Sequence, residues 1–228
     1  MLQIYVTKTN AYVCIFVDEG LGGTVNNSQS QKSICCVTDE FSAVNCLETI
    51  KQGFETKLVI CYETREDVIH LVKIIDKILP RMLKSEVELE FHKISKFGKK
   101  SEDVLSKNSL ITNILIKSAK EKRISHISLA TSPLIFPSTF VETLQKRIFS
   151  AGIIPHISLS GIDSEIMKNA KEIGMEKYVP KIEKFLKSNL TKSKSKLKNN
   201  EKTVKKIIKV KLGPNNVHTI LDSLEIEH

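Results

Sequence analysis

Short apolar runs alternate with longer stretches of helical periodicity along most of this chain. In the most regular unit, the apolar run at 58–62 predicts a buried strand, and apolar residues then recur at three- and four-residue intervals from Val68 to Leu79, where Pro80 ends the helix. The same alternation predicts further strands at 87–91, 127–130, 154–160 and 177–179, with helices at 64–79, 110–120, 139–150, 163–173 and 182–190. Strands that alternate with helices in this way indicate crossover units of a parallel sheet.

The segments on either side of this repeat have a different character. Upstream, a predicted hairpin and a polar, glycine-rich stretch precede a buried strand at 34–37, after which Thr38 and Asp39 cap a helix. This upstream part either adds strands to the same sheet or forms a separate lobe. The pattern divides the chain into an N-terminal β-rich extension (1–56), an α/β domain (57–190), a lysine-rich linker (191–206) and a C-terminal β-hairpin or tail (207–228).

Two polar stretches of the predicted domain are assigned to its surface. In the strand at 87–91, apolar residues alternate with Glu88, Glu90 and His92, which is the period of a strand with one side in water. Residues 93–109 are mostly polar and predict a loop. With these assignments the sequence predicts an α/β fold with a doubly wound, mainly parallel sheet, an N-terminal β extension and a basic C-terminal tail.

Charge is distributed very unevenly along the 228 residues, whose formal net charge is +9. The segment 187–211 alone holds ten lysines against a single acidic residue, Glu201, so the rest of the chain is close to neutral. Flexible polycations gain affinity for nucleic acid by releasing its counterions. The segment lacks arginine and aromatic residues, so it predicts either a solvated linker or non-specific phosphate binding. The candidate phosphate-binding residues are Lys192, Lys194, Lys196, Lys198, Lys202, Lys205 and Lys206.

The cysteines and the absence of long apolar runs indicate the compartment. The cysteine count is odd, no pair has Cys-x-x-Cys spacing, and all lie in or beside apolar runs, so reduced and packed thiols are predicted. The N-terminus lacks the pattern of a signal peptide, and no apolar run reaches the roughly 18 to 20 residues that span a bilayer. We therefore predict a cytoplasmic protein that does not contact a membrane. The cysteines are Cys14, Cys35, Cys36, Cys46 and Cys61.

The most specific local motif lies near the end of the predicted α/β domain. A strand ending in Ser158 or Ser160 is followed by a helix that ends at Gly174 and by a short strand closed by Lys181. Together with the order of elements in 57–190, this motif resembles the receiver domain of the two-component response-regulator family. The resemblance implies a flavodoxin-like sheet, with Ser160 (or Ser158) at the family's switch position and Lys181 as its lysine after the last strand.

The acidic groups on which receiver chemistry depends are missing from the positions that the resemblance assigns to them. In the family, two carboxylates after the first strand hold Mg²⁺, and an aspartate ending the third strand accepts the phosphoryl group. Here Glu63 alone follows the strand at 58–62, and Ala130 ends the third strand. The resemblance therefore implies a pseudo-receiver: a non-catalytic signalling or regulatory module that contacts a protein partner, or a second copy of itself, without phosphorylation. The alternative is a nucleic-acid-associated protein that binds phosphates through the lysine-rich tail.

Other groups with chemical potential have simpler explanations. Asp39 and Glu40 form an acidic pair after the strand at 34–37, and helix capping accounts for them. His126 and His156 occupy similar positions on neighbouring predicted strands and could meet, but no histidine has metal-ligand spacing. An enzyme or small-molecule sensor would use the carboxyl edge of the parallel sheet, where the sequence shows no nucleophile–base pair and no cofactor fingerprint. It thus favours a protein without catalytic residues, metal or cofactor.

Overall fold

The computed structural model describes residues 3–6, 11–14, 31–82, 84–98, 100–159, 164–186 and 203–226. These residues form two sheets. The smaller sheet is the predicted N-terminal hairpin, in which β1 (Gln3–Val6) pairs with β2 (Ala11–Cys14) in antiparallel fashion. The larger sheet has six strands: β3 (Lys32–Val37), β4 (Glu55–Tyr62), β5 (Glu86–Lys93), β6 (His126–Ser128), β7 (Ile154–His156) and β8 (Val204–Lys211).

Helices connect the strands of the larger sheet. The α-helices are α1 (Glu40–Lys51), α2 (Arg65–Ile78), α3 (Ser101–Lys122), α4 (Ser138–Ser150), α5 (Ser164–Ala170), α6 (Val179–Leu186) and α7 (Asn216–Ser223). A short 3₁₀ helix, Leu79–Met82, follows α2, and a π-helical turn, Lys171–Met175, and a second 3₁₀ helix, Glu176–Tyr178, join α5 to α6. Among the described residues, no helix combines the length and the apolar character that a membrane span requires.

The strand order across the larger sheet is β7-β6-β3-β4-β5-β8. The first five strands run parallel, and β8 pairs with the edge of β5 in antiparallel fashion. Counting the parallel strands along the chain, this order is that of the Rossmann arrangement, in which the first strand lies at the centre. The α1, α2, α5, α6 and α7 helices cluster together, and α3 contacts α4. The predicted class, a doubly wound and mainly parallel α/β sheet, is confirmed.

The central strands and the first two crossover helices form for the reasons that the sequence pattern gave. β3 is buried at every position after its first residue, as expected for a strand covered on both faces. Asp39 caps α1 and Thr64 caps α2, each through a capping box whose partner lies three residues later. Because β3 pairs with β4 and β6, β3 and the α1 helix that follows it belong to the same α/β unit as the strands of the predicted domain.

Two predicted strands are wrong because the residues are helical. The strand predicted at 177–179 is a 3₁₀ turn that continues into α6, since two β-favouring residues are outweighed by the helical pattern after them and Pro180 fits a first helical turn. The second strand of the predicted C-terminal hairpin is α7, in which Ile220 and Leu221 are buried. The strand predicted at 154–160 ends at His156.

The loop predicted at 93–109 is wrong from Ser101 onward, because α3 begins there. The buried serine and threonine residues of α3 are compatible with a helix face against the sheet because they are small and satisfy their hydroxyl groups locally. Ser106 donates to the carbonyl of Glu102, and Thr112 donates to the carbonyl of Asn108, each at 2.8 Å. Buried serines such as Ser106 and Ser109 add no apolar periodicity to the first part of α3.

The side of β5 predicted to face water is buried under α3. Glu90 is 1% exposed, and its carboxylate lies 2.8 Å from His92 Nε2, 3.0 Å from Lys122 Nζ and 3.2 Å from Lys205 Nζ, and it accepts a hydrogen bond from Ser118 Oγ at 2.8 Å. Burial by itself would raise the pKa of the Glu90 carboxyl, but these hydrogen bonds outweigh burial and lower that pKa well below its ordinary value. The carboxylate is therefore a buried charge that joins α3, β5 and β8.

Candidate crevice at the carboxyl edge of the sheet

The principal candidate site is a crevice of about 370 Å³ at the carboxyl ends of β3, β4 and β6. β3 and β6 are neighbours in the sheet, and the chain leaves them toward opposite sides, so the crevice lies at a topological switch point, where folds of this class place ligands. Its lining residues are Thr38, Asp39, Phe41, Ser42, Glu63, Phe97, Gly98, Val104, Lys107, Asn108, Ile111, Ala130 and Phe136.

One end of the crevice is the N-terminus of α1, which is occupied by the protein's own carboxylate. Asp39 Oδ1 accepts hydrogen bonds from the backbone N–H of Ser42 at 2.8 Å and from Ser42 Oγ at 2.9 Å. A helix N-terminus attracts anions through its unpaired N–H groups and its dipole. Here Asp39 satisfies that attraction internally, so a phosphate group at this position would meet a negative charge.

The Glu63 carboxylate connects three walls of the crevice. It accepts a hydrogen bond from Lys107 Nζ on α3 at 2.7 Å and another from the backbone N–H of Phe97 at 3.1 Å. The segment after β5 is thereby held over the end of β4, with the half-buried Phe97 ring facing the crevice. Gly98 lies so close to Asp103 that a Cβ atom at residue 98 would require the Asp103 carboxylate to move.

A smaller recess of about 160 Å³ adjoins the crevice and contains Lys181. Lys181 Nζ donates to the Glu40 carboxylate at 2.8 Å, and His70 Nε2 lies 3.0 Å from the same oxygen. Burial opposes ionisation of Glu40, but the hydrogen bonds from Lys181 and His70 lower the pKa of its carboxyl overall. Lys181, one of the predicted site residues, thus lies close to the carboxyl edge of the sheet and pairs with Glu40.

Acidic groups other than Glu63 are therefore present at this edge, although the receiver resemblance assigns them no position there. Asp39, Glu40 and Glu63 all lie at the carboxyl ends of β3 and β4. The sequence indicates the position of Asp39 and Glu40, because both directly follow a buried strand. Their place at the edge was missed because the first strand of the domain was assigned to 58–62, while the true first strand is β3.

A water-sized chamber of about 20 Å³ lies beneath the crevice, between α3 and the ends of β3 and β6. Its wall is rich in hydroxyl groups, and most of these have hydrogen-bond partners in the protein. Thr131 differs, because its Oγ1 atom is buried without a hydrogen-bond partner and the residue is 2% exposed. The chamber is lined by Cys36, Thr38, Ser42, Asn108, Ile111, Thr112, Leu115, Ser128, Leu129, Ala130 and Thr131.

A cluster of buried hydroxyl groups holds α1 against the ends of β6 and β7. Thr49 Oγ1 lies 2.8 Å from both Ser128 Oγ and Ser158 Oγ, and Asn45 Nδ2 donates to Ser128 Oγ at 3.0 Å. Thr49 also donates to the carbonyl of Asn45 at 2.8 Å. Ser158, the alternative to Ser160 in the sequence motif, is thus a structural contact of α1.

The predicted site residues fall into three groups. Glu63 and Ala130 line the crevice together, and Lys181 lies in the adjoining recess. Lys205 and Lys206 are on β8, where Lys205 pairs with Glu90 and Glu121 and Lys206 pairs with Glu225, so they belong to a strand and not to a free tail. The remaining predicted residues lie outside the described part of the chain: Ser160, Lys192, Lys194, Lys196, Lys198 and Lys202.

The cysteine side chains that the structure describes are free thiols within the core. Cys36 and Cys46 are fully enclosed, and burial raises the pKa of both thiols well above the ordinary value. Thiols held protonated in this way are poor nucleophiles and poor metal ligands. The predicted packing role is confirmed for Cys35, Cys36, Cys46 and Cys61.

His126 and His156, on neighbouring strands, both contact the ring of Phe54. The Phe54 ring centroid is 5.3 Å from that of His126 and 5.5 Å from that of His156, and His156 Nε2 contacts Gln52 Oε1. Within the described ranges, no three His, Cys, Asp or Glu side chains are arranged to hold a metal ion. The histidines are therefore part of an aromatic contact.

This contact predicts a loss of stability in mild acid. Burial lowers the pKa of both imidazoles, and the charge of His126 further lowers the pKa of His156. The unfolded chain, with histidine pKa values near ~6.5, then binds more protons than the folded chain, so the free energy of unfolding falls as the pH drops from about 7 to about 5. Urea unfolding at several pH values tests this. In a His126→Gln/His156→Gln variant, the free energy of unfolding should depend less on pH between about 5 and 7. An unchanged dependence on pH contradicts the assignment of the effect to these two histidines.

Comparisons with known proteins support the fold and revise the function. No family model and no curated protein matches the sequence. Solved structures similar to the fold include the following two. PH1313 from Pyrococcus horikoshii Ot3 has 16% identity and a TM-score of 0.50, over 76% of this chain and 50% of that protein. A 4-thiouridine synthetase solved with RNA and bound ATP has 16% identity and a TM-score of 0.56, over 91% of this chain and 62% of that protein.

These likenesses correct the predicted function. At 16% identity they show the fold alone, and this chain spans only half to about three-fifths of the length of either protein. The neighbours nevertheless include an RNA-bound enzyme and not a receiver, and the strand at 177–179 that completed the receiver-like alternation is helical. The prediction of a pseudo-receiver module acting in signal transduction is therefore wrong.

Proposed function

We propose that this protein binds a nucleoside unit in the crevice at the carboxyl edge of the sheet and acts as a nucleic-acid-associated protein. The observation that supports this most directly is the crevice itself. It lies at the switch point of a Rossmann-ordered sheet, and its volume of about 370 Å³ falls in the range of small-molecule sites, roughly 300–1,000 Å³.

The chemistry of the lining suits a base and a sugar. Phe97 is a half-buried aromatic residue of the lining and can bind the π-face of a base, while the buried Phe41 and Phe136 form part of the apolar wall. Asn108 and Lys107 contribute groups that can hydrogen-bond to ribose hydroxyls or to the edge of a base. An apolar wall combined with a few convergent polar groups is typical of sites that orient an aromatic ligand.

The charge of the site argues against a tightly bound triphosphate. Asp39 occupies the helix N-terminus where a phosphate would be held, and Glu40 and Glu63 add further carboxylates nearby. Lys107 and Lys181 are already engaged by Glu63 and Glu40. We therefore assign the crevice to the nucleoside part of the ligand, with any phosphate directed toward solvent.

The association with nucleic acid is supported by two independent features. A similar fold was solved in complex with RNA and ATP, which motivates RNA as the ligand class to test. The sequence concentrates ten lysines against one acidic residue in 187–211, while the rest of the chain is nearly neutral. A nucleotide of RNA would then place its base in the crevice and direct its phosphates toward solvent.

Calorimetric titration with adenosine, AMP and ATP tests the crevice assignment. We expect adenosine to bind at least as tightly as ATP, because phosphates approach Asp39. Phe97→Ala is expected to weaken adenosine binding about tenfold, since base–aromatic stacking contributes about 1–3 kcal/mol. Phe149→Ala is the matched control, because Phe149 is 71% exposed on α4 and does not line the crevice.

The same titration isolates the role of charge. Asn caps helices as well as Asp does, so Asp39→Asn preserves α1 while removing the charge. We expect this variant to improve ATP binding relative to adenosine. Tighter binding of ATP than of adenosine by the unaltered protein, or equal effects of the two phenylalanine variants, contradicts the proposal. RNA titration at two salt concentrations tests the association separately, and no binding at low salt contradicts it.

A further inference from the structure

We propose that Thr131 selects the nucleobase by hydrogen bonding to one exocyclic amino or carbonyl group placed in the chamber beneath the crevice. This inference rests on the proposed function, because it assumes that a base lies in the crevice. It adds a determinant of specificity, which neither the fold nor the similarity to other structures indicates.

The chamber adjoins the crevice. Both are lined by Thr38, Ser42, Asn108, Ile111 and Ala130, so the two spaces meet at these residues. The chamber volume of about 20 Å³ exceeds the roughly 10–15 Å³ that one water-sized group needs. It has room for one polar substituent, such as an amino or oxo group, while the ring to which the group is attached stays in the crevice.

The hydroxyl groups around the chamber are not equivalent. Thr112 Oγ1 donates to the carbonyl of Asn108 at 2.8 Å, and Ser42 and Ser128 bond to Asp39 and to the α1 cluster. Thr131 Oγ1 is buried without a partner. A buried hydroxyl without a partner is costly in a protein interior, so such groups call for an explanation.

A ligand substituent supplies that missing partner. A threonine hydroxyl can accept a hydrogen bond from an amino group or donate one to a carbonyl. A base that carries hydrogen instead of the substituent would cover the chamber and leave Thr131 unsatisfied. Sites built to hydrogen-bond a polar group discriminate strongly against analogues that lack it.

Two nucleoside series that differ in one exocyclic group test the inference. Adenosine, inosine and purine riboside form the purine series, and cytidine, uridine and 2-pyrimidinone riboside form the pyrimidine series. In at least one series, we expect the unaltered protein to bind the analogue without the exocyclic group about tenfold or more weakly. Calorimetric titration measures the affinities.

Variants of the chamber then assign the effect to Thr131. Thr131→Val keeps the shape and removes the hydroxyl, so it should weaken binding of the preferred nucleoside about tenfold and leave the unsubstituted riboside unchanged. Thr131→Ser should keep the preference. Thr112→Val is the matched control, since that hydroxyl has its own partner, and it should change the preference less than about twofold. The melting temperature of Thr131→Val without ligand should equal or exceed that of the unaltered protein.

The outcomes separate the two proposals. If no nucleoside binds the unaltered protein, both are overturned. A second outcome is that nucleosides bind and Thr131→Val has the same affinity as the unaltered protein for both the preferred nucleoside and its unsubstituted analogue. In that case the role of Thr131 is overturned while the crevice assignment stands. Equal losses of affinity for the preferred nucleoside in Thr131→Val and Thr112→Val also overturn the role of Thr131, because they indicate a general disturbance of the chamber.

Discussion

Replacing Glu90 by alanine is expected to lower the free energy of unfolding by about 3 kcal/mol. Glu90 is 1% exposed, and its carboxylate is the common partner of His92, Ser118, Lys122 and Lys205. Removing one member of a buried ionic group typically costs about 3–5 kcal/mol, because the remaining members lose a partner that water cannot replace. Denaturation by urea measures the change.

The low end of that range applies for a structural reason. Lys122 also pairs with Glu88, and Lys205 also pairs with Glu121, so neither lysine is left without a carboxylate. His92 and Ser118 are more affected, since both are buried, and His92 Nδ1 already lacks a hydrogen-bond partner. The cost therefore arises mainly from these neutral groups and from the space that the side chain leaves.

Two further variants separate charge from packing. Glu90→Gln keeps the shape and removes the charge. Its free energy of unfolding should therefore lie between those of the unaltered protein and the alanine variant. Glu88→Ala is the matched control on the same strand, and its partly exposed pair with Lys122 is expected to contribute about 1 kcal/mol. Equal costs for the alanine variants at positions 88 and 90 would show that the Glu90 network does not stabilise the fold.

The network also gives β8 a defined register. β8 follows a segment with little apolar surface, and within β8 the buried apolar contacts come mainly from Ile208 and Val210. Lys205 on β8 pairs with Glu90 on the neighbouring β5. A shift of β8 by one residue would move the ammonium group of Lys205 to the other face of the sheet. The buried carboxylate thus specifies how the antiparallel strand attaches to the parallel sheet.

The sequence predicted the fold class because the class depends on local pattern. The period of apolar residues in 64–79 and the caps at Thr64 and Asp39 are local signals, and the structure contains both helices. Strand order is not a local signal. The same alternation of strands and helices is compatible with the flavodoxin-like and the Rossmann order, and the central position of β3 depends on pairing with β4 and β6.

The candidate site was harder to predict because its parts are far apart in sequence. Glu63, Ala130 and Asp39 end different strands, and they meet only when β3 lies between β4 and β6. The sequence predicts a loop at Lys107 because the first part of α3, before Leu110, buries mainly serine, which carries no apolar period. The unpartnered hydroxyl of Thr131 is a property of packing, and its sequence neighbours give no sign of it.

The error in function has a related cause. A Ser-Gly turn, a helix ending at Gly174 and a following lysine occur wherever a parallel strand leads through a helix to another element. In this chain, Gly174 adopts φ +80° in a π-helical turn, and Lys181 pairs with Glu40. The motif therefore indicates a common local geometry and not a function. Which ligand binds depends on the arrangement of charges around the motif.

Replacing Thr49 by valine is expected to lower the free energy of unfolding by about 1–3 kcal/mol. Valine has nearly the same shape, so the core keeps its packing while three hydrogen-bonding contacts are lost, to Ser128, Ser158 and the Asn45 carbonyl. Ser158 keeps Ser128 as a neighbour at 3.2 Å, which limits the cost. Chemical denaturation measures it, with Thr49→Ser as the control that retains the hydroxyl.

This variant also tests whether the hydroxyl cluster positions the candidate site. Thr49 is fully buried in α1, whose first turn carries Asp39 and Ser42 into the crevice, and Ser128 lines the chamber. If the cluster fixes α1 relative to β6, Thr49→Val weakens nucleoside binding at temperatures where the protein is fully folded. Unchanged binding together with lower stability would instead confine the cluster to a structural role, because the crevice would then keep its shape without these hydrogen bonds.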